Sequence, residues 1–378
     1  MRVEPPVPAA AKAAIREALL ADGAEAVDAP LLQPLGLILD LAGEAMRARL
    51  FIVQAEGGPE TCLRPDFTAA VALRHIEAGA QQGRYFYEGS AFRAAPGSDR
   101  PEEFLQMGVE VFAPAERDRV RADAEIAGLA WRASGAGGRE DLALWLGDVG
   151  LFGPFIDSLG MPAALAARLK RVAGRPRLLQ AELARAGREP DASGGASELA
   201  GLLAGLPEHQ AASLLEEVWA LAGIEPVGGR GPAEIASRLV RKAEAARAPV
   251  LSRAQASAIA EFMAIADTPA EALARVRTLA GARIKAVDAA LEAWQARLAL
   301  LSDFAPQGRM RFAPALGHAF DYYDGLTFEV RSDALGPERP IAVGGRYDGL
   351  LTRLGGAPGE GAVGCVVRPW RAFAGGES

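Results

Sequence analysis

Polar and apolar residues alternate along the segment from Phe104 to Phe112, which predicts a β-strand with two unlike faces. One face is apolar throughout and therefore belongs to a core: Leu105, Met107, Val109 and Val111. The other face carries the amide of Gln106 and the carboxylate of Glu110, with Gly108 leaving room between them. This face is typical of a strand that floors a polar pocket. Residues 84–93 supply the first arm of a hairpin, and the Pro- and Gly-rich residues 94–100 connect the arms.

The same periodicities predict the elements on either side of this hairpin. Before it we expect a helix at 9–20, a short strand ending at Pro30, a helix at 32–49, strands at 50–53 and 61–65, and a helix at 66–77. Near the C-terminus we expect strands at 319–330, 341–343 and 362–367, with a helix after the turn at 344–349.

The middle of the chain, residues 161–267, is rich in Ala, Leu, Arg and Glu and has helical periodicity. Its apolar positions fall into two helical stripes: Leu199, Leu202, Leu203 and Leu206, then Leu214, Val218 and Leu221. A new helix opens at Thr268, which has capping-box spacing to Glu271. We therefore expect an α+β fold, with a largely antiparallel sheet built from residues 1–160 and 268–378 and a helical insertion at 161–267.

Charge and composition narrow the possible functions. The formal net charge is -7, and no run of consecutive Lys or Arg occurs, which disfavours nucleic-acid binding. No apolar run approaches the roughly 18 residues of a membrane span, and the N-terminus does not resemble a signal peptide, so we expect a cytoplasmic protein that contacts no membrane. The two cysteines, Cys62 and Cys365, lie in apolar runs without ligand spacing, so no metal site is expected.

Four segments, taken together in this order and spacing, resemble the catalytic core of histidyl-tRNA synthetase, a class II aminoacyl-tRNA synthetase. They are Leu63–Thr68, the hairpin from Phe92 to Glu110, residues 321–329 with Asp-Tyr-Tyr and Thr-Phe-Glu, and the Gly-Gly-Arg-Tyr-Asp-Gly-Leu run at 344–350 with the glycines at 355 and 356. The resemblance implies a class II synthetase-like antiparallel sheet flanked by helices. The insertion at 161–267 matches this family in position only.

The resemblance implies a histidine-binding pocket whose residues carry over one by one. Glu110 and Tyr323 would hold the two imidazole nitrogens, which are one donor and one acceptor in the neutral ring. Arg93 would face the ligand carboxylate. The α-ammonium group would meet Asp66, where the family usually has glutamate, together with Thr68 and Gln106. The full predicted set is Asp66, Thr68, Arg93, Gln106, Glu110, Tyr322 and Tyr323.

Departures from the synthetase pattern fall on the residues that activate the amino acid with ATP. The position of the family's histidine-specific arginine holds His318, and the motif-2 glutamate is replaced by Ala95. Because adenylation needs fixed cations around the reacting phosphate, these changes predict a cleft that cannot support it. Glu102 replaces a basic residue and is expected to repel a triphosphate, and Arg368 and Trp370 are expected to crowd the adenosine site. Arg93, Arg100 and Arg371 retain the family's charge.

A kept amino-acid pocket beside a lost ATP site resembles the regulatory subunits of short-form ATP phosphoribosyltransferase. That resemblance implies a subunit without its own catalysis, a catalytic partner subunit, and histidine as effector, with no cofactor and no catalytic residues in this chain. The chain ends at Ser378, so we expect no anticodon-binding domain. Pro30 lies where this class of core dimerises, which implies a homodimer within a hetero-oligomer.

Two other functions stay open from the residues alone. The chain could be a working amino-acid ligase of the synthetase type, which histidine-dependent pyrophosphate–ATP exchange would reveal. It could also be a structural scaffold with an empty, vestigial pocket, in which Glu110 is simply a satisfied strand carboxylate. Histidine binding separates the scaffold from the other two possibilities.

Overall fold

The computed structural model describes residues 1–113, 118–173, 175–187, 249–317, 322–357 and 359–376, and positions 210, 213, 214, 217, 218 and 221. They form two compact units, one made of Met1–Gly160 with Ile259–Ser378 and the other of Met161–Ala258. The predicted stripe at 199–206 lies outside the described residues, whereas Leu214, Val218 and Leu221 are helical.

The strands of the larger unit are β1 (Glu25–Ala26), β2 (Leu32–Pro34), β3 (Ile52–Val53), β4 (Thr61–Leu63), β5 (Gly83–Phe92), β6 (Glu103–Phe112), β7 (Leu142–Asp148), β8 (Met310–Phe312), β9 (Leu326–Ser332), β10 (Ala342–Arg346) and β11 (Ala362–Val367). The described helices are α1 (Ala9–Leu20), α2 (Leu35–Ala42), α3 (Thr68–Glu77), α4 (Arg119–Ala136), α5 (Phe152–Ser158), α6 (Ala163–Val172), α7 (Pro176–Ala184), α8 (Arg253–Met263), α9 (Pro269–Ala280), α10 (Asp288–Leu301), α11 (Asp348–Arg353) and α12 (Pro369–Ala372).

Eight strands form one sheet in the order β1-β5-β6-β11-β10-β9-β7-β8. The edge pairs β1–β5 and β7–β8 are parallel, and every other pair in this sheet is antiparallel. Strands β2, β4 and β3 form a separate antiparallel sheet. The predicted hairpin is present as β5 and β6, and the predicted strand at 362–367 is β11. A mostly antiparallel sheet with flanking helices is the α+β fold that the pattern predicted.

Helix α4 covers one face of the large sheet and packs against β9, β10 and β11. Asp123 on α4 is fully buried and bonds two guanidinium groups, those of Arg346 on β10 and Arg297 on α10. Because neighbouring residues of a strand point to opposite faces, Tyr347, directly after Arg346, points to the other side of the sheet. That other side carries the cavity described below.

Three predicted elements differ from the structure. The helix expected at 32–49 is divided into strand β2, helix α2 and a 3-10 turn at Glu44–Arg49, because Pro34 disfavours helix before it and Gly43 takes φ 80° after α2. Of the strand expected at 319–330, residues 319–321 lie outside the described residues, 322–325 are not strand, and the strand begins at Leu326. Helix α9 begins after Thr268 as predicted, but the predicted capping box is not formed. The Thr268 hydroxyl donates to the Glu271 carboxylate at 2.6 Å, and no backbone amide of the helix is capped by this side chain.

Candidate functional site

A cavity of about 460 Å³ opens in the larger unit, on the sheet face opposite α4. It is lined by residues of β5, β6, β9, β10 and β11 and of the segments that flank these strands. All seven residues predicted for histidine binding line it: Asp66, Thr68, Arg93, Gln106, Glu110, Tyr322 and Tyr323. The structure therefore brings together, from four separate parts of the chain, the set that the motifs selected.

Glu110 stands at the inner end of the cavity and is only 2% exposed. Its Oε1 accepts hydrogen bonds from the Thr68 hydroxyl at 2.7 Å and from the Tyr87 phenol at 3.3 Å. Its Oε2 accepts a hydrogen bond from the Tyr347 phenol. Burial raises the pKa of Glu110 to about 7, and the three hydroxyl hydrogen bonds act in the opposite direction.

Two glycines make the space that this arrangement needs. Gly364 on β11 pairs with Glu110, and Gly108 on β6 pairs with Tyr87. A Cβ on Gly364 would lie inside the Glu110 carboxylate, and one on Gly108 would overlap the Tyr87 phenol, both far closer than the 3.0 Å that real Cβ atoms keep. The glycines are thus required by the side chains opposite them.

Two oxygens in the same cavity lack donors. Asp66 Oδ2 and Gln106 Oε1 are buried, and no donor within the described part of the chain reaches either atom. Burial raises the pKa of the Asp66 carboxyl to about 6, while Arg93 and the Thr68 amide lower it. Buried acceptors in folded proteins are nearly always satisfied, so the pair indicates a ligand that brings hydrogen donors.

Arg93 follows β5 and is held by the backbone of the segment that carries Asp66. Its Nε donates to the Pro65 carbonyl at 2.8 Å, and its guanidinium lies 5.5 Å from the centroid of the Phe104 ring. Burial lowers the pKa of Arg93, and the negative charge of Asp66 raises it. The guanidinium is the charged group placed to meet a ligand carboxylate on this side of the cavity.

The two tyrosines ahead of β9 form an aromatic wall. The ring centroids of Tyr322 and Tyr323 are 4.8 Å apart, and both rings pack against Tyr347, at 5.6 and 6.1 Å. Asp324, the next residue, accepts hydrogen bonds from the amides of Asp348 and Gly349 at 3.1 and 2.6 Å. This link fixes the segment before β9 to the segment after β10. His318 lies outside the described residues.

The outer part of the cavity is rich in arginine, including the retained Arg100 and Arg371. Five arginines besides Arg93 line the cavity: Arg49, Arg100, Arg331, Arg368 and Arg371. The motif comparison had named Arg100, Arg368 and Arg371, whereas Arg49 and Arg331 were not predicted. Three of the five bond protein acceptors closely: Arg331 contacts Glu329 at 2.6 Å, Arg368 contacts Glu4 at 2.5 Å, and Arg371 donates to the Pro340 carbonyl at 2.9 Å.

Glu102 and Trp370, two residues expected to hinder nucleotide binding, do not line the cavity. The carboxylate of Glu102 accepts the Ala95 amide at 3.2 Å and pairs with Arg2 at 3.3 Å. Trp370 packs on Phe373 in the last helical turn, whereas Arg368 does line the cavity. Crowding of an adenosine site by Arg368 stays a prediction.

Sequence reasoning missed two residues of the site, Tyr87 and Tyr347, and also Glu4, which does not line the cavity but contacts Arg368. Tyr347 belonged to a recognised motif but had no assigned role. The signal for Tyr87 was the glycine on the pocket face of β6, which implies a large side chain on the neighbouring strand. Among the described residues, no cluster of His, Cys, Asp or Glu could hold a metal ion, and no helix is long and apolar enough to span a bilayer.

Comparisons with known proteins agree with this geometry. A histidyl-tRNA synthetase family profile matches residues 6–223 and 231–369. In solved structures, the fold is similar to that of a Bacillus halodurans protein described as an ATP phosphoribosyltransferase regulatory subunit/histidyl-tRNA synthetase, with a TM-score of 0.64, 20% identity, and coverage of 96% of this chain and 77% of that one. It is also similar to histidyl-tRNA synthetase from Nostoc, with a TM-score of 0.59, 15% identity, and coverage of 96% and 70%. The class is therefore a histidyl-tRNA synthetase-like class II core, as predicted.

Curated relatives are more specific. The ATP phosphoribosyltransferase regulatory subunit of Mesorhizobium japonicum is 38% identical over 93% of this chain and 94% of its own length. The protein of the same name from Chelativorans is 36% identical over 90% and 88%. The chain belongs to the family of ATP phosphoribosyltransferase regulatory subunits.

Proposed function

We propose that this chain, without catalysis of its own, activates a short-form ATP phosphoribosyltransferase catalytic subunit and binds histidine in the cavity as the feedback effector. The observation that carries the proposal is that one cavity holds two buried acceptors without donors, on Asp66 and Gln106, together with Glu110, a carboxylate fixed by hydroxyl hydrogen bonds. The names of the relatives support the regulatory role.

Histidine satisfies each part of the cavity. Its α-ammonium group has three donors, which suits the free oxygens of Asp66 and Gln106. Its carboxylate suits the guanidinium of Arg93, with charge-assisted hydrogen bonds. Its ring can donate from one nitrogen to Glu110 and use the other toward Tyr323. A ligand lacking any of these groups leaves a buried polar atom unpaired, which costs about 1–3 kcal/mol.

The arginines of the outer cavity support binding without adenylation. A triphosphate would have to compete with the carboxylates of Glu4 and Glu329, which already contact Arg368 and Arg331. Catalysis of adenylation requires fixed cations that point at the phosphate and are not already neutralised by protein carboxylates. Engaged arginines stabilise the protein instead.

Feedback inhibition requires that histidine bind one state of the assembled complex more tightly than another. The cavity is joined to the α4 side of the sheet through β10, where Arg346 bonds the buried Asp123 and its neighbour Tyr347 bonds Glu110. Two adjacent residues thus connect the ligand site with the helical layer. When histidine binds, a shift in the position of Glu110 can pass through Tyr347 and Arg346 to Asp123 and so favour one arrangement of the helical layer.

The test is reconstitution with the catalytic subunit. The wild-type chain is expected to support phosphoribosyl transfer that histidine inhibits. Glu110→Ala should make the complex insensitive to histidine, because the ring loses its acceptor. Glu338→Gln is the matched control, since Glu338 is an exposed carboxylate at the cavity rim whose contact with Arg100 is 3.6 Å. Unchanged inhibition in Glu110→Ala would contradict the proposal.

Ligase activity is a second candidate, favoured by one observation: Arg93, Arg100 and Arg371 all line the cavity. Histidine-dependent pyrophosphate–ATP exchange measures it directly. We expect no exchange with the wild-type chain, because the outer arginines are engaged by protein acceptors.

The exposed apolar residues of the three-stranded sheet β2-β4-β3, and of the segment before it, lead us to propose a homodimer. The segment 31–32 and strand β3 expose large apolar side chains: Leu31 46%, Leu32 47%, Ile52 47% and Val53 37%. A cluster of this kind on one sheet is typical of a surface that another copy covers. Light scattering should give twice the chain mass for the wild type, and Ile52→Glu should shift it toward one chain mass.

A further inference from the structure

Glu110 receives hydrogen bonds from three hydroxyl groups, each carried by a different element. Thr68 begins α3, Tyr87 lies on β5 and Tyr347 follows β10. Together they occupy both oxygens of the carboxylate. An ionised carboxylate has only acceptor sites, about four in all, so the site on Oε2 beside Tyr347 is the one left for a ligand.

The phenols are hydrogen donors under all ordinary conditions. Burial raises the pKa of Tyr87 and of Tyr347 well above the usual value near 10, and the charge of Glu110 raises both further. Neither phenol therefore loses its hydrogen near neutral pH. Each therefore donates a hydrogen bond to Glu110, and that bond is stronger when the carboxylate is ionised.

The surroundings of Glu110 set two opposing influences. Burial favours the protonated carboxyl, as does the nearby Asp66, whereas the three hydroxyl hydrogen bonds favour the ionised form, with Tyr347 first among them. The titratable groups that interact with Glu110 are Asp66, Tyr87, Tyr322, Tyr323, Tyr347 and Cys365. The same cavity is also lined by Arg93, by the outer arginines and by the carboxylates of Glu329 and Glu338. Burial raises the pKa of Cys365 to about 12, so this thiol stays neutral.

We propose that Tyr347 is the positioning residue of the ligand site: its phenol keeps Glu110 ionised and oriented, so that the site accepts only a ligand ring that presents an N–H to Oε2. This inference rests on the proposed histidine site and assigns its ring specificity. Tyr347 acts on the ligand through Glu110. Gly364 leaves room for this contact, since a Cβ on Gly364 would lie 3.0 Å from the Tyr347 phenol oxygen.

The proposal explains why the tyrosine follows two glycines and an arginine in one motif. Gly345 has φ 158° and lies against the Tyr323 ring, so the backbone approaches the aromatic wall closely. Arg346 anchors the strand to Asp123 on the opposite face. The next residue is thereby fixed with its phenol on Glu110.

The test first measures Glu110 without any ligand. Infrared spectroscopy follows the protonated carboxyl band, which is identified as the band that Glu110→Gln removes. Tyr347→Phe is expected to move the Glu110 midpoint to higher pH by about one unit, because a hydrogen bond to the ionised form is lost. Tyr87→Phe, whose bond is longer, should move it less. Tyr85→Phe is the control, because that phenol contacts His75 and does not line the cavity.

Histidine affinity is then measured against pH for the wild type and Tyr347→Phe. A one-unit shift from a midpoint of about 7 leaves about fivefold less ionised Glu110 at pH 7 and little difference at pH 9, so the loss of affinity should follow that course. An unmoved midpoint, or a loss of affinity equal at every pH, overturns the inference. Failure of the wild type to bind histidine would instead count against the proposed function, and the ligand-free titration would still decide the role of Tyr347.

Discussion

Gly364 and Glu110 lie directly opposite each other on β11 and β6, and the carboxylate of Glu110 occupies the space that a side chain on Gly364 would need. The pair places a buried charge in the middle of a sheet, where a larger residue would close the cavity. The site is therefore built by strand register as much as by its polar residues.

Gly364→Ala should damage both stability and binding. The added methyl cannot be accommodated without moving Glu110, so we expect a loss of about 2 kcal/mol of unfolding free energy and the disappearance of histidine binding. Chemical denaturation and calorimetry measure the two effects. Gly308→Ala is the control, because nothing lies within 4 Å of its Cβ position. A variant at 364 that binds like the wild type would show that the space is not required.

Stability without ligand should fall as the pH rises from about 4 to about 7. Asp66 and Glu110 have folded-state pKa values of about 6 and about 7, above their ordinary values of 3.8 and 4.5. The folded chain therefore holds these protons more tightly than the unfolded chain, and this contribution is complete below the ordinary values and lost above the raised ones. Melting temperatures across this range give the measurement.

Glu110→Gln separates this effect from other titrations. The amide does not ionise, so the part of the decline that falls between pH 4.5 and about 7 should be reduced in the variant. Saturating histidine should also reduce the decline in the wild type, since its ammonium group compensates Asp66. An identical pH profile for wild type and variant would refute the assignment of that decline to Glu110.

Glu4 is expected to be a major stabilising residue despite its place near the start of the chain. Its side chain is 2% exposed, contacts Arg368 at 2.5 Å and accepts the Leu105 amide at 3.2 Å. Glu4→Gln leaves the Arg368 charge buried without its counter-ion, which should cost about 3 kcal/mol in denaturant unfolding. Glu338→Gln removes an exposed partner of Arg100 and should cost at most about 0.5 kcal/mol. Equal losses for the two variants would contradict this account.

Much of the fold and of the candidate site could be predicted from the sequence, because strand alternation and the residues of each motif are local signals. Alternation along Phe104–Phe112 placed Gln106 and Glu110 on one face, and that face does line the cavity. The helix predicted at 32–49 failed for a local reason as well, since Pro34 and Gly43 act as breaks inside an otherwise apolar run.

The partners of the site residues were harder to predict because they are far apart along the chain. Glu110 is 237 positions from Tyr347, and Glu4 is 364 positions from Arg368. No periodicity relates residues at such separations, and only the strand order brings them together. The outer arginines show both cases, since Arg331 contacts Glu329 two positions away on β9, whereas Arg368 contacts the distant Glu4.

The most direct measurement is a calorimetric titration of histidine into the wild-type chain and into Glu110→Gln at pH 8. The account predicts saturable binding at one site per chain in the wild type, and a loss of at least about tenfold in affinity when the buried acceptor becomes an amide. No binding by the wild type, or equal affinity in the two proteins, would contradict it.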